Sequence, residues 1–251
     1  MAQKKLDTYL NLCTQVYNLS KPTPPEDEYT FYRSYVAKAK DLILEPMCGT
    51  GRFLLPLLEE GFDIHGFDAS EHMLESLSIK AKSKNLTPHI WKNFAESFES
   101  PNHYALIFIP TGSFGLIIET GAVKAALKNF YNHLTDDGIL LIEGEILEAI
   151  PPLCVWQGSK WSRPDGKMIM LSQYSTLEGT ICSSLCKYEL VADQIIIQTE
   201  IEDLRVRHYS PEELSALLKE AGFTQIRLIK AFDQASEPGE LDESIVYECR
   251  K

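Results

Sequence analysis

No stretch of this chain holds the roughly 18 consecutive apolar residues that a membrane-spanning helix needs. Its first 19 residues, MAQKKLDTYLNLCTQVYNL, lack the continuous apolar segment of a secretory leader. A cytoplasmic protein with no membrane partner is expected. Positive charge is scarce as well: 24 Lys and Arg stand against 36 Asp and Glu, a net charge of -12. Affinity for nucleic acid depends on neutralising phosphates, so no nucleic-acid partner is expected. The six cysteines, at 13, 48, 154, 182, 186 and 249, suggest no disulfide framework, and a chain of 251 residues does not need one. Cys182 and Cys186 are spaced like half a metal site, but their context alternates like a strand, where residues four apart are roughly 13 Å apart. No metal is expected. Internal repeats and low-complexity tracts are also missing.

What is present is an ordinary globular composition, 44 % hydrophobic and 24 % charged, which argues against disorder. The first 40 residues read as two helical patterns split by the prolines of SKPTPPEDE, with tyrosines at 9, 17, 29, 32 and 35. From 41 to 150, short apolar runs alternate with helical stretches: strands at DLILE, FDIHGFD, PHIWK, YALIFIP and GILLIEGE, helices over 50–60, 70–84 and 120–134. That alternation implies right-handed crossovers and a parallel sheet, an α/β fold. Pro56, inside the first of these helices, predicts a kink. Residues 151–207 change pattern to four strand-like runs joined by turn signals, an antiparallel insertion. The core resumes over 208–251 with a helix: Ser210 can cap it, Pro211 suits its first position, Glu213 completes a capping box and Gly222 ends it.

The segment ILEPMCGTGRFL, residues 43–54, lays out a strand, a glycine turn and a helix start, a place where α/β folds hold cofactors. A dinucleotide fingerprint would need a third glycine where Leu54 stands, which leaves only G-x-G and Asp68 in favour of a nicotinamide oxidoreductase. Instead, ILEPMCGTGR followed by GFDASEHML resembles motif I and its downstream partner in class I S-adenosylmethionine-dependent methyltransferases. The match joins Glu45 at the end of one strand, C-G-T-G, and Asp68 at the end of the next, 23 residues on.

The resemblance implies a Rossmann-like, seven-stranded, mostly parallel sheet, with S-adenosylmethionine as cofactor and S-adenosylhomocysteine as product. Gly49 and Gly51 would let the backbone approach the ligand. Asp68 would accept from the ribose hydroxyls, Glu45 would meet the methionine ammonium, and Met73 would cover the adenine. Each also has a plain structural alternative: a strand-end acid, a helix cap and a core methionine. Met47 stands where relatives carry a small residue. Asn93 and Phe94 replace the usual third-strand acid, which shifts adenine recognition to the backbone of Phe94 and Ala95. Cys48, Thr50, Arg52, Ala69 and Ile109 complete the expected cofactor site.

For the acceptor, IFIPTGSFGLI lacks both the Asn/Asp-Pro-Pro-Tyr/Phe of amide or adenine methylating enzymes and the acid of metal-dependent catechol enzymes. Over about residues 15–251 the chain resembles amine N-methyltransferases of nucleotide-linked amino sugars and the glycine and sarcosine type. That resemblance implies a lid with Tyr17 and Tyr29, a pocket floor of Ser113 and Phe114, and Trp156, Arg207 and Tyr209 on the insertion side. Arg207 would bind a carboxylate or phosphate; its alternative is a surface pair with an acid such as Glu202, with Trp156 and Tyr209 in the core. No catalytic base is assigned, His208 and His72 being the nearest histidines by motif position. The expected function is methyl transfer to a small-molecule acceptor at an amine nitrogen or a hydroxyl, by a monomer or homodimer. The alternative is a non-catalytic partner or regulatory protein that binds the same cofactor.

Overall fold

In a computed structural model that describes residues 6–239 and 242–251, the chain begins with helices α1 (Asn11–Ser20) and α2 (Glu26–Val36). Five strands follow, separated by helices and turns: β1 (Ile43–Pro46), β2 (Ile64–Asp68), β3 (His89–Lys92), β4 (Tyr104–Ile109) and β5 (Leu134–Glu145). Helices α3 (Leu54–Glu59), α4 (Glu71–Ser83) and α5 (Thr120–His133) connect them. After the insertion strands β6 (Trp156–Ser162), β7 (Met168–Glu178), β8 (Ile181–Ala192) and β9 (Ile195–Arg207), the chain returns through α6 (Pro211–Ala221), β10 (Gln225–Lys230) and β11 (Ser244–Arg250).

The main sheet runs β10-β11-β5-β4-β1-β2-β3. β1 to β5 are parallel, and β11 enters antiparallel between β5 and β10. This is the seven-stranded, mostly parallel architecture that the resemblance implied, with the parallel strands where the periodicity put them. All four residues of β1 are buried, as a strand covered on both faces demands. One apolar layer joins α5 and α6 to the sheet through Leu127, Phe130, Leu214 and Leu218. On the opposite face, Phe31, Tyr32 and Val36 of α2 pack with Leu54, Leu57 and Phe108. The tyrosine-rich second helix is therefore part of the core.

The insertion forms its own four-stranded antiparallel sheet, β6-β7-β8-β9. Leu12 and Val16 of α1 pack against Ile169, Tyr188 and Leu190 on its inner face. Among the described residues no helix is long and apolar enough to cross a membrane.

The kink expected at Pro56 does not occur. The helix starts at Leu54 rather than residue 50, so Pro56 falls in its first turn, where backbone N–H groups have no intrahelical partner in any case. The glycine absent at position 54 has a counterpart across the interface. A Cβ on Gly66 of β2 would lie 2.5 Å from Leu54 Cδ1, so the bare strand position is what lets α3 approach the sheet. The α6 signals are read correctly: Ser210 Oγ accepts the Glu213 N–H, Pro211 opens the helix and Gly222 follows it at φ +120°.

Candidate functional site

The C-terminal ends of parallel strands are where open α/β sheets hold ligands, and a cavity of about 470 Å³ lies there. Its wall follows the strand order: Asp68 and Ala69 after β2, Met47 and Gly49 after β1, Thr111 to Ser113 after β4, and Glu145 at the end of β5. The turn after β1 is sharp, with Met47, Gly49 and Gly51 at φ +57°, +53° and +75°. A Cβ at Gly49 would meet nothing within 4 Å, so this position faces open space, whereas one at Gly51 would strike Leu77 at 2.8 Å. Gly49 thus leaves room for a ligand, and Gly51 leaves room for α4.

Asp68 ties the two strand ends together. Its Oδ2 accepts the Gly49 N–H and its Oδ1 the Ser70 N–H, each at 2.8 Å. Burial raises the carboxyl pKa, and the N–H groups of Ser70 and Gly49 oppose that rise. The Ala69 N–H contributes as well, and with about four lone-pair sites on a carboxylate these N–H groups do not exhaust it. The helix-cap alternative is also accounted for: Ser70, not Asp68, caps α4 by accepting the Met73 N–H at 3.2 Å.

Met73, Asn93, Phe94 and Ala95 line the same end of the cavity. Asn93 Oδ1 accepts the Phe94 N–H at 2.8 Å and so shapes the turn after β3. Of the other proposed cofactor residues, Glu45, Cys48, Thr50, Gly51, Arg52 and Ile109 do not line the cavity; they sit behind the loop or in the core. Glu45 is 2 % exposed with Oε2 unpartnered, and burial drives its carboxyl well above the ordinary range against the pull of Arg52. Thr50 Oγ1 and Arg52 Nε are buried without partners beside it. Three unpartnered buried polar atoms thus belong to residues 45–52, the segment that carries the open glycine turn.

On the acceptor side, Tyr17 and Ser113 reach the cavity, while the other proposed residues do not. Tyr29 lies on α2 and donates to Glu60 Oε1 at 2.7 Å, away from the cavity. Phe114 and Tyr209 are buried in the core, 6.0 Å apart. Trp156 is 61 % exposed and packs on Tyr174. Arg207 is ion-paired, with Glu213 at 2.6 Å rather than Glu202. Neither His208 nor His72 lines the cavity, and burial lowers the pKa of His208.

Residues invisible to the motif analysis close the site. Leu6 to Tyr9 line the cavity. They are held by Glu202, which accepts the Tyr9 and Leu10 N–H groups at 2.9 and 2.8 Å, and by Glu200, which accepts the Leu12 N–H at 2.7 Å. Ser70 Oγ donates to the Tyr9 carbonyl at 2.7 Å, so the segment bridges the insertion and the start of α4. The one available hint was that Glu200 and Glu202 fall on one face of a strand.

Comparison with known proteins agrees with this geometry. Residues 43–138 match a family described as a methyltransferase domain. A protein of Geobacillus sp. (strain WCH70), named only as a candidate methyltransferase, is 23 % identical over 223 residues, 87 % of this chain and 88 % of its own length. In fold the chain is similar to an S-adenosylmethionine-dependent methyltransferase from Clostridium acetobutylicum ATCC 824, with TM-score 0.78 and 17 % identity over 94 % of this chain and 96 % of that one. It is also similar to the sugar N-methyltransferase KedS8 from Streptoalloteichus sp ATCC 53650, with TM-score 0.77 and 16 % identity over 100 % and 99 % of the two chains. The class of fold is thereby defined: residues 43–138 match a methyltransferase domain, and the chain as a whole has the fold of S-adenosylmethionine-dependent methyltransferases.

Proposed function

We propose that the chain methylates a small molecule, at an amine nitrogen in preference to a hydroxyl. The observation that carries this reading is the make-up of the cavity wall: six carboxylates, Asp7, Asp68, Glu96, Glu119, Glu145 and Asp203, against two basic side chains, Lys21 and Arg205. A wall of that sign favours cationic ligands and works against phosphate or carboxylate on the acceptor. The sugar N-methyltransferase among the fold neighbours supports the same choice.

The bound cofactor supplies a methyl group activated by an adjacent sulfonium. In this reading Asp68 receives the ribose hydroxyls on its remaining lone pairs, and Gly49 gives the backbone its close approach. Met73, Phe94 and Ala95 flank the adenine. Glu45, Thr50 and Arg52 support the loop from behind. The chain's contribution to the transfer is positional: Tyr9 and Tyr17 shut out water from one side and the β4 turn aligns the acceptor from the other.

Calorimetry with S-adenosylmethionine and S-adenosylhomocysteine, followed by a methyl-incorporation screen across small amines and alcohols, tests the reading. Binding of both nucleosides with transfer to an amine is the expected result. Tight binding without transfer to any acceptor would favour a non-catalytic binding partner.

A further inference from the structure

Along the cavity wall, strand order fixes a sequence of positions: Asp68 on β2, Gly49 after β1, Thr111 to Ser113 after β4 and Glu145 on β5. Neighbouring strands are about 4.8 Å apart, so Glu145 stands roughly 14 Å from Asp68, beyond the length of a ribose and at the far end of the site. If the ribose lies at Asp68, the cofactor's sulfur reaches the β4 turn and Glu145 faces whatever approaches it.

Glu145 is one of six carboxylates on the cavity wall. It lines the cavity, yet among the described residues its carboxylate accepts no hydrogen bond and forms no ion pair. Its place is cut to fit: a Cβ on Gly112, which sits at φ +64°, would lie 2.6 Å from Glu145 Cδ. A glycine in the β4 turn therefore leaves the space that this carboxyl fills. The charged groups around it are Lys21 at the end of α1, Glu243 just before β11 and Glu143 two residues back on its own strand. Burial raises its carboxyl pKa and Lys21 opposes the rise. No histidine lines the cavity among the described residues.

We propose that Glu145 is the acceptor-recognising acid: its carboxylate seats the ammonium of an amine acceptor and takes the proton that this nitrogen must lose before it attacks. The inference rests on the methyltransferase reading above and names the substrate class. The steps balance. The ammonium N–H bond breaks and the proton passes to Glu145 Oε, giving a neutral amine and a carboxylic acid. The nitrogen lone pair then forms the new N–C bond while the C–S bond breaks and its electron pair stays on sulfur. The product leaves as the methylated ammonium, and Glu145 returns its proton to solvent at the rim beside Lys21. A hydroxyl acceptor offers no positive charge to this carboxylate, which is why an amine is selected.

The test uses the full chain loaded with S-adenosylhomocysteine and two matched probe pairs, glucosamine against glucose and ethanolamine against ethylene glycol. Calorimetry should show the amine of at least one pair binding roughly 10- to 100-fold more tightly than its hydroxyl counterpart, the range of a charge-assisted hydrogen bond. In E145Q this preference should vanish while affinity for S-adenosylhomocysteine stays within about twofold, and E145D, which keeps the charge, should retain the preference. With any amine the wild type methylates, the acidic limb of kcat/KM against pH should be altered in E145Q. An amine preference that survives in E145Q, or no amine preference in the wild type, overturns the proposal. Loss of S-adenosylhomocysteine binding by the wild type would overturn the methyltransferase reading itself, a distinguishable failure.

Discussion

The Tyr32 hydroxyl donates to Glu143 Oε2 across 3.0 Å, and the same oxygen accepts the Thr111 N–H at 2.7 Å. A helix of the N-terminal segment is thus connected through a buried acid to the turn that ends β4. Thr111 and Gly112 hold φ +57° and +64°, a left-handed pair that the Glu143 contact anchors. Burial pushes the Glu143 carboxyl up to about 7 from its ordinary 4.5, with the Thr111 N–H opposing. An acid raised in this way binds its proton more tightly folded than unfolded. Its contribution is complete below about pH 4.5 and is lost as pH climbs toward about 7. At about 1.4 kcal/mol per pKa unit, the swing is on the order of 3 kcal/mol. Glu143→Gln keeps an oxygen for both donors and removes the titration. Denaturant midpoints taken between pH 5 and 7.5 should therefore decline less in the variant than in the wild type. Parallel declines would mean that Glu143 titrates like a solvated acid.

Asp68 has two duties, and two substitutions separate them. Asp68→Ala removes the acceptors for the Gly49 and Ser70 N–H groups as well as the lone pairs facing the cavity, whereas Asp68→Asn keeps one acceptor oxygen. The expected loss of S-adenosylhomocysteine affinity in the Ala variant is about 1 to 3 kcal/mol, with a smaller loss for Asn. Calorimetry gives both numbers. Unchanged affinity in both variants would reduce Asp68 to a connector of the two strand ends.

Glu202 should behave as a latch on the N-terminal segment. Glu202→Ala leaves the Tyr9 and Leu10 N–H groups without their acceptor, and loss of a helix cap of this kind costs about 1 to 2 kcal/mol. Hydrogen exchange at residues 9–16 should accelerate while β1 to β5 remain protected. Because Tyr9 lines the cavity, cofactor affinity should fall in parallel. Unaltered exchange at Tyr9 and Leu10 would remove the latch.

These residues also show why part of the site could be read from sequence and part could not. The parallel strands were legible because each is a short apolar run bounded by a turn, and the turn after β1 because its glycines, Glu45 and Asp68 lie within 24 consecutive residues. The contact between Tyr9 and Glu202 spans 193 residues and follows from how the insertion folds back, which no local pattern records. Tyr29 and Arg207 were aromatic and basic in suitable places, yet Glu60 and Glu213 already engage them. Glu145 was read only as the end of a strand, since its meaning comes from Gly112 on a neighbouring strand. Local periodicity is written into the chain, whereas the choice between competing partners for a side chain is made by packing.

The close fit between β2 and α3 gives a test of the fold itself. Gly66→Ala would place a methyl 2.5 Å from Leu54 Cδ1 and 3.0 Å from Cys48 Sγ in a fully buried layer. Overpacking of this kind costs about 1 to 3 kcal/mol. Leu54→Ala alone should cost more, about 2 to 5 kcal/mol, because it opens a cavity in the same place. Combined, the two changes should cost less than their sum, since the new methyl fills part of the space that the leucine vacates. A double-mutant cycle from urea denaturation measures that coupling. Strict additivity would show that the strand glycine does not set how close α3 lies to the sheet, and that the spacing is held by Cys48 and the turn around it.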